Sequence, residues 1–71
     1  MNFLELEIKE DFIKLDSALK FSSLVPTGGI AKMVILDGLV KVNGEVCTQR
    51  GKKLVAGDIV SFEGNEIKIV G

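Results

Sequence analysis

The 71-residue sequence contains no histidine, tryptophan or tyrosine, and its only cysteine is Cys47. A single cysteine excludes an internal disulfide and a cysteine-based metal site, and it indicates a reducing compartment. Because histidine is missing as well, we expect neither transition-metal binding nor general-base catalysis by an imidazole. The sequence therefore predicts a protein that is not an enzyme and that uses no metal, cofactor or small-molecule substrate.

Long apolar runs are also missing. The longest, such as Met33 to Leu36, are far shorter than the roughly 20 residues that cross a bilayer. No basic stretch followed by an apolar stretch opens the chain, as a signal peptide would require. We therefore expect a cytoplasmic protein with no membrane partner. Its length predicts one small domain spanning residues 1–71, and its hydrophobic share of 46% argues against disorder.

The charges are unevenly distributed along the chain. Residues 1–19 carry two lysines against five acids, a net charge of −3, and residues 54–71 carry one lysine against three acids, a net charge of −2. Residues 20–53 carry six basic residues against two acids, a net charge of +4. The overall charge of −1 is thus the sum of a positive central segment and two negative flanking segments. This segregation of charge indicates a polyanionic partner.

The first half of the chain predicts a strand followed by two helices. Residues 3–8 alternate between apolar and acidic side chains, as in a strand with one solvated face. From Leu15 the apolar spacing becomes helical, and Pro26 prevents that helix from continuing. Thr27 is suited to cap a second helix, which we expect to end with Gly38 in a left-handed conformation.

The second half predicts strands. Leu39 to Val46 forms a hairpin in this interpretation, with Asn43-Gly44 at its turn, because Asn-Gly is a strong hairpin signal. A basic loop follows, and Ile59–Phe62 and Ile67–Val70 are the next strands. The order of elements is that of an α+β domain. The four phenylalanines occupy positions that we expect to be in the core. We therefore do not expect unpaired RNA bases to stack on aromatic side chains of this protein.

Two features of the central segment are typical of phosphate binding. Gly28 and Gly29 beside a helix start allow a phosphate to approach exposed amides. The alternative is that both glycines only form the turn after Pro26. The second feature is a group of basic residues that would form a positive surface if the helices and the hairpin pack together. These residues are Lys20, Lys32, Lys41, Arg50, Lys52 and Lys53.

Three segments at this spacing resemble a known family. They are Ile13–Lys20, Thr27–Lys32 and Gly38–Gly44, and Arg50–Leu54 with Gly57–Val60 continues the similarity. Together they resemble the RNA-binding domain first named for ribosomal protein S-four, and within it the small stand-alone YaaA/YbcJ-like group. The resemblance covers about residues 8–63. It implies a strand, a two-helix helix-turn-helix and a small bent antiparallel sheet, the alpha-L motif.

The resemblance also implies binding of structured RNA, often ribosomal RNA, through the helix pair and the hairpin. The RNA contacts that it implies here are Lys14, Lys20, Gly28, Gly29, Lys32, Asn43, Arg50, Lys52 and Lys53. Gly28-Gly29 stands where the wider family often has Ser-Arg, so one contact arginine is missing. We therefore expect modest affinity for isolated RNA.

Two functions from different classes fit the sequence. The first is a non-enzymatic RNA-binding protein that acts on ribosomal RNA or ribosomal particles, in ribosome assembly or quality control. The alternative is a β-grasp sulfur carrier or ubiquitin-like modifier, in which Val40–Glu45 and Gly57–Val60 would both fit. Such carriers need a flexible Gly-Gly tail, and this chain ends Ile69-Val70-Gly71. The sequence therefore favours the RNA-binding protein.

Overall fold

The computed structural model describes residues 2–71 and has two helices and seven strands. The order of elements along the chain is β1 (Asn2–Glu7), β2 (Ile13–Lys14), α1 (Leu15–Phe21), α2 (Gly28–Leu36), β3 (Val40–Val42), β4 (Glu45–Val46), β5 (Lys53–Leu54), β6 (Ile59–Phe62) and β7 (Asn65–Val70). The α+β class is confirmed, with two strands before the helix pair and five after it. Within residues 2–71, no helix combines the length and the apolar character that crossing a membrane requires.

The strands form two sheets. The larger has the order β1-β7-β6-β3-β4, and the smaller pairs β2 with β5. The expectation of an antiparallel sheet holds for β3, β4, β6 and β7, but β1 lies parallel to β7 at the edge. This parallel pairing places the first strand beside the last one, with Leu4 opposite Ile67 and Leu6 opposite Ile69.

Helix α2 begins and ends as its sequence predicts. The Thr27 hydroxyl accepts a hydrogen bond from the backbone N–H of Ile30 at 3.2 Å, which confirms the cap. At the other end Gly38 has a φ of +76° and donates its N–H to the carbonyl of Ile35. Leu39 donates to the carbonyl of Val34, so the helix ends in a Schellman motif.

Helix α1 ends in the same way, but without a glycine. Ser23 adopts a φ of +65° and donates its N–H to the carbonyl of Lys20, and Leu24 donates to the carbonyl of Leu19. A left-handed conformation is unfavourable for a residue with a side chain. The Schellman hydrogen bonds hold it in place, and they turn the chain sharply toward α2.

The hairpin between β3 and β4 has the predicted turn. Asn43 and Gly44 have φ values of +53° and +86°, as a two-residue type I′ turn requires. The Asn43 amide also binds a second segment of the chain. Its Nδ2 donates to Oδ1 of Asp58 at 3.1 Å, and its Oδ1 accepts from the N–H of Ile59 at 2.9 Å. The hairpin is therefore fastened to the start of β6.

The buried side chains form one hydrophobic cluster between the helices and one face of the larger sheet. Its members are Leu15, Ala18, Leu19, Val25, Ala31, Ile35, Val40, Val42, Leu54, Val60, Phe62, Ile67 and Ile69. The expectation that all four phenylalanines are in the core is confirmed only for Phe62 and is wrong for Phe3, Phe12 and Phe21. Phe3 lies on the outer face of the larger sheet, because Leu4 and Leu6 of the same strand face inward. Phe21 lies outside the buried face of α1.

Candidate functional site

The smaller sheet brings two lysines together. Lys14 of β2 lies directly opposite Lys53 of β5 in an antiparallel pair, and both side chains are exposed. Like charges in opposite positions of two strands destabilise the pair. An anion that binds between the two ammonium groups would remove this repulsion, so the pair is suited to hold a phosphate.

The start of α1 fixes the basic loop beside this lysine pair. The N–H of Leu15 donates to the carbonyl of Lys52 at 2.9 Å, and the N–H of Asp16 donates to the carbonyl of Arg50 at 3.1 Å. These bonds hold the backbone of the loop, while the side chains of Arg50 and Lys52 are exposed. The result is a group of cations that we call the basic cluster, consisting of Lys14, Arg50, Lys52 and Lys53.

One cation of the basic cluster lies over an aromatic ring. The Nζ atom of Lys53 is 4.9 Å from the centroid of the Phe12 ring, within the range of a cation–π contact. Such a contact restricts a flexible side chain, because the ammonium is attracted to the ring face. Lys53 is thus held near the segment between β1 and β2, and the basic cluster extends to an aromatic surface.

The two helix starts differ in the hydrogen-bonding donors that they offer. In α1 the first-turn amides are already used, because Leu15 and Asp16 bind the loop carbonyls and the Ser17 N–H donates to Oδ1 of Asp16 at 2.8 Å. In α2 the Thr27 hydroxyl takes only the amide of Ile30. The preceding amides of Gly28 and Gly29 have no acceptor within the helix, and both residues are exposed. Helix α2 is therefore the better anion site.

Neither glycine is required by the local backbone. Their φ values lie outside the left-handed region. A methyl group at Gly28 would have no atom beyond its own helix and chain neighbours within 4 Å, and at Gly29 it would meet only Oγ1 of Thr27 at 3.8 Å. Since glycine disfavours helix formation relative to alanine, its presence at both positions costs stability without a packing reason.

We therefore expect Gly28→Ala and Gly29→Ala to change stability and RNA binding in opposite directions. Each substitution should raise the free energy of unfolding by about 0.4 to 1 kcal/mol. Each should also weaken the binding of structured RNA on the order of 10-fold, because the methyl group keeps a phosphate away from the first-turn amides. Urea denaturation followed by circular dichroism, together with filter binding, measures both effects. Stabilised variants with unchanged RNA binding would contradict a phosphate contact at the start of α2.

The other residues that the sequence singled out lie on different elements from the basic cluster. Lys20 is exposed in the last turn of α1, about 8 Å along the helix from its start. Lys32 is exposed on α2. Lys41 lies on the outer face of the larger sheet, between Val40 and Val42, which face the core. The Asn43 amide is engaged with Asp58 and Ile59, and its contact with RNA stays a prediction.

The sequence interpretation missed the aromatic part of this surface. Phe21 is 65% exposed, and Phe12 is partly exposed beneath Lys53. The helical spacing contained a usable signal for Phe21, because the buried face of α1 is set by Leu15, Ala18 and Leu19. No local pattern places Phe12, whose position depends on the pairing of β2 with β5.

The chain is similar in sequence to a known family and to known proteins. Residues 6–70 match the family described as the S4 domain. The chain is 39% identical to YbcJ of Escherichia coli (strain K12) over 62 residues, which are 87% of this chain and 89% of YbcJ. It is 37% identical over 59 residues to RlbA of Bacillus subtilis (strain 168), named a probable ribosome maturation protein, with 83% of each chain covered.

The solution structure of YbcJ from E. coli is similar over the whole chain. The TM-score is 0.71 at 37% sequence identity, with 100% of this chain and 89% of that chain covered. That structure is described as revealing an alpha-L motif involved in RNA-binding. The resemblance recognised from the sequence is confirmed, and the β-grasp alternative gains no support from these similarities.

Proposed function

Because this chain belongs to the S4 domain family, we propose that it binds structured RNA through the basic cluster and the start of α2. The observation that carries the proposal is the placement of Lys14 opposite Lys53. Two exposed lysines in register carry like charges that repel each other, so they favour a ligand with closely spaced negative charges. The phosphates of a folded RNA have this property, and cationic side chains read them without regard to base sequence.

The proposed partner is ribosomal RNA, either alone or within ribosomal particles. This part of the proposal draws on RlbA, whose name refers to ribosome maturation. The chain would act in the cytoplasm in ribosome assembly or quality control, without a catalytic step. Its contribution would be to hold or cover an RNA element, because positioned cations and helix amides provide binding but no nucleophile or general base.

The salt dependence of RNA binding tests this proposal. If the basic cluster and its neighbours neutralise about four phosphates, the logarithm of the association constant should fall against the logarithm of salt concentration with a slope of about −3 to −4. Filter binding of a ribosomal RNA fragment between low and physiological salt measures this slope. Because the chain as a whole has a net charge of −1, attraction by net charge alone does not predict such a slope.

Two results would contradict the proposal. One is the absence of RNA retention at any salt concentration, and the other is retention whose strength does not depend on salt. A heparin competition provides the control, since a polyanion of unrelated backbone shape should displace RNA only at high concentration if the RNA shape contributes to binding.

A further inference from the structure

A small cleft lies between the end of β1, the segment that leads into β2, and the end of α1. Its volume is about 240 Å³. Most of its lining is apolar or aromatic, from Leu6, Ile8, Phe12, Ile13 and Phe21. We call it the apolar cleft. Phe21 is 65% exposed there, and Glu7, Lys9 and Glu10 complete the lining.

The apolar cleft is continuous with the basic cluster. Phe12 lines the cleft, and the Nζ atom of Lys53 lies 4.9 Å from the centroid of its ring. Lys53 in turn lies opposite Lys14. A ligand that places a phosphate on this lysine pair therefore has an aromatic surface beside it, because the Lys53 side chain itself reaches the Phe12 ring.

The charges of the cleft restrict what it can hold. Glu7 and Glu10 are exposed carboxylates in its lining, against the single cation Lys9. They disfavour a phosphate inside the cleft, so phosphates are directed to the basic cluster. A nucleobase is uncharged and has an aromatic face, and its amino groups donate hydrogen bonds that carboxylates accept.

We propose that the apolar cleft holds one unpaired nucleobase of the bound RNA, stacked on Phe21, while the adjoining phosphates lie on the basic cluster. This inference rests on the proposed function and adds a preference for one kind of RNA. The protein selects RNA in which an unpaired base lies beside a structured element. Phosphate contacts alone give no such preference, because they do not distinguish a paired from an unpaired nucleotide.

A tryptophan reporter tests the proposal directly. The chain contains no tryptophan or tyrosine, so Phe21→Trp introduces a single fluorophore into the cleft. The probes are an RNA hairpin with an unpaired loop and a fully paired duplex of the same length. Binding of the hairpin should quench the tryptophan fluorescence, whereas the duplex should leave it nearly unchanged. Phe3→Trp is the matched control, because Phe3 is 56% exposed on the outer face of the sheet and should report no quenching.

Phe21→Ala provides an independent measurement of affinity. It should weaken binding of the RNA hairpin about 5- to 100-fold, the usual effect of removing one aromatic partner of a base. Binding of the RNA duplex should remain unchanged. Phe3→Ala should change neither. Hairpin binding without quenching, or equal losses for hairpin and duplex, would overturn the cleft while leaving the proposed function intact. A wild-type protein that retains neither RNA would overturn both.

Discussion

Replacing Arg50, Lys52 and Lys53 together by alanine should weaken the binding of structured RNA on the order of 100-fold at low salt. Each side chain is expected to make a charge-assisted contact with a phosphate, and such contacts are stronger than neutral ones. The slope of affinity against salt should also become less negative by about 2 to 3, because fewer counterions are released from the RNA. Filter binding at several salt concentrations measures both quantities.

This triple variant should keep its fold. The loop is held by the carbonyls of Arg50 and Lys52, which accept from the start of α1, and alanine retains these carbonyls. A charge-matched comparison uses Lys52→Ala/Lys53→Ala against Lys41→Ala/Lys68→Ala, since Lys41 and Lys68 lie on the outer face of the larger sheet. Equal losses of affinity in the two double variants would show that net charge, and not the basic cluster, governs binding.

Leu54→Ala should lower the free energy of unfolding by about 2 to 5 kcal/mol. Leu54 is fully buried in β5 and lies opposite Ile13 of β2, so the substitution leaves a cavity beneath the smaller sheet. A domain of this length has a total stability of roughly 4 to 10 kcal/mol. The loss is therefore a large fraction of the total stability and is readily measured by denaturation.

The adjacent residue supplies the control for this effect. Val55 is 49% exposed, and Val55→Ala should change the stability by no more than about 0.5 kcal/mol. Urea denaturation followed by circular dichroism compares the two variants. If Leu54→Ala proved as stable as Val55→Ala, the smaller sheet would not be part of the cooperative core, and the placement of Lys53 opposite Lys14 would lose its support.

Local chemistry was sufficient to predict most element boundaries. Thr27 caps α2 through a hydroxyl three residues before the amide that it binds, and Asn43-Gly44 supplies both positive φ values of the hairpin. These signals act within a few residues, so the sequence displays them directly. The end of α2 at Gly38 was predictable for the same reason.

Features that depend on distant pairing were not predictable. Strands β2 and β5 have two residues each, too few for any periodicity, and they are defined only by each other. The parallel register of β1 beside β7 also joins distant parts of the chain.

The exposure of Phe3 was predictable from the sequence, because the inward positions of Leu4 and Leu6 already imply that Phe3 faces outward. That error came from weighing hydrophobicity above alternation.

The candidate site divides in the same way. Charge segregation along the sequence identified Arg50, Lys52 and Lys53, because these residues are neighbours in the chain. The proposed role of Lys14 came from family resemblance, and its position opposite Lys53 required the fold. The apolar cleft was missed because its lining comes from β1, from the segment before β2 and from the end of α1.

The pairing of β1 with β7 has a consequence for synthesis of the protein. Asn2 lies beside Asn65, and Glu7 beside Val70, so the N-terminal strand has no backbone partner until nearly all of the chain has left the exit tunnel. Such long-range closure slows acquisition of the native state. The larger sheet can consequently acquire its edge strand β1 only after β7 is available to pair with it.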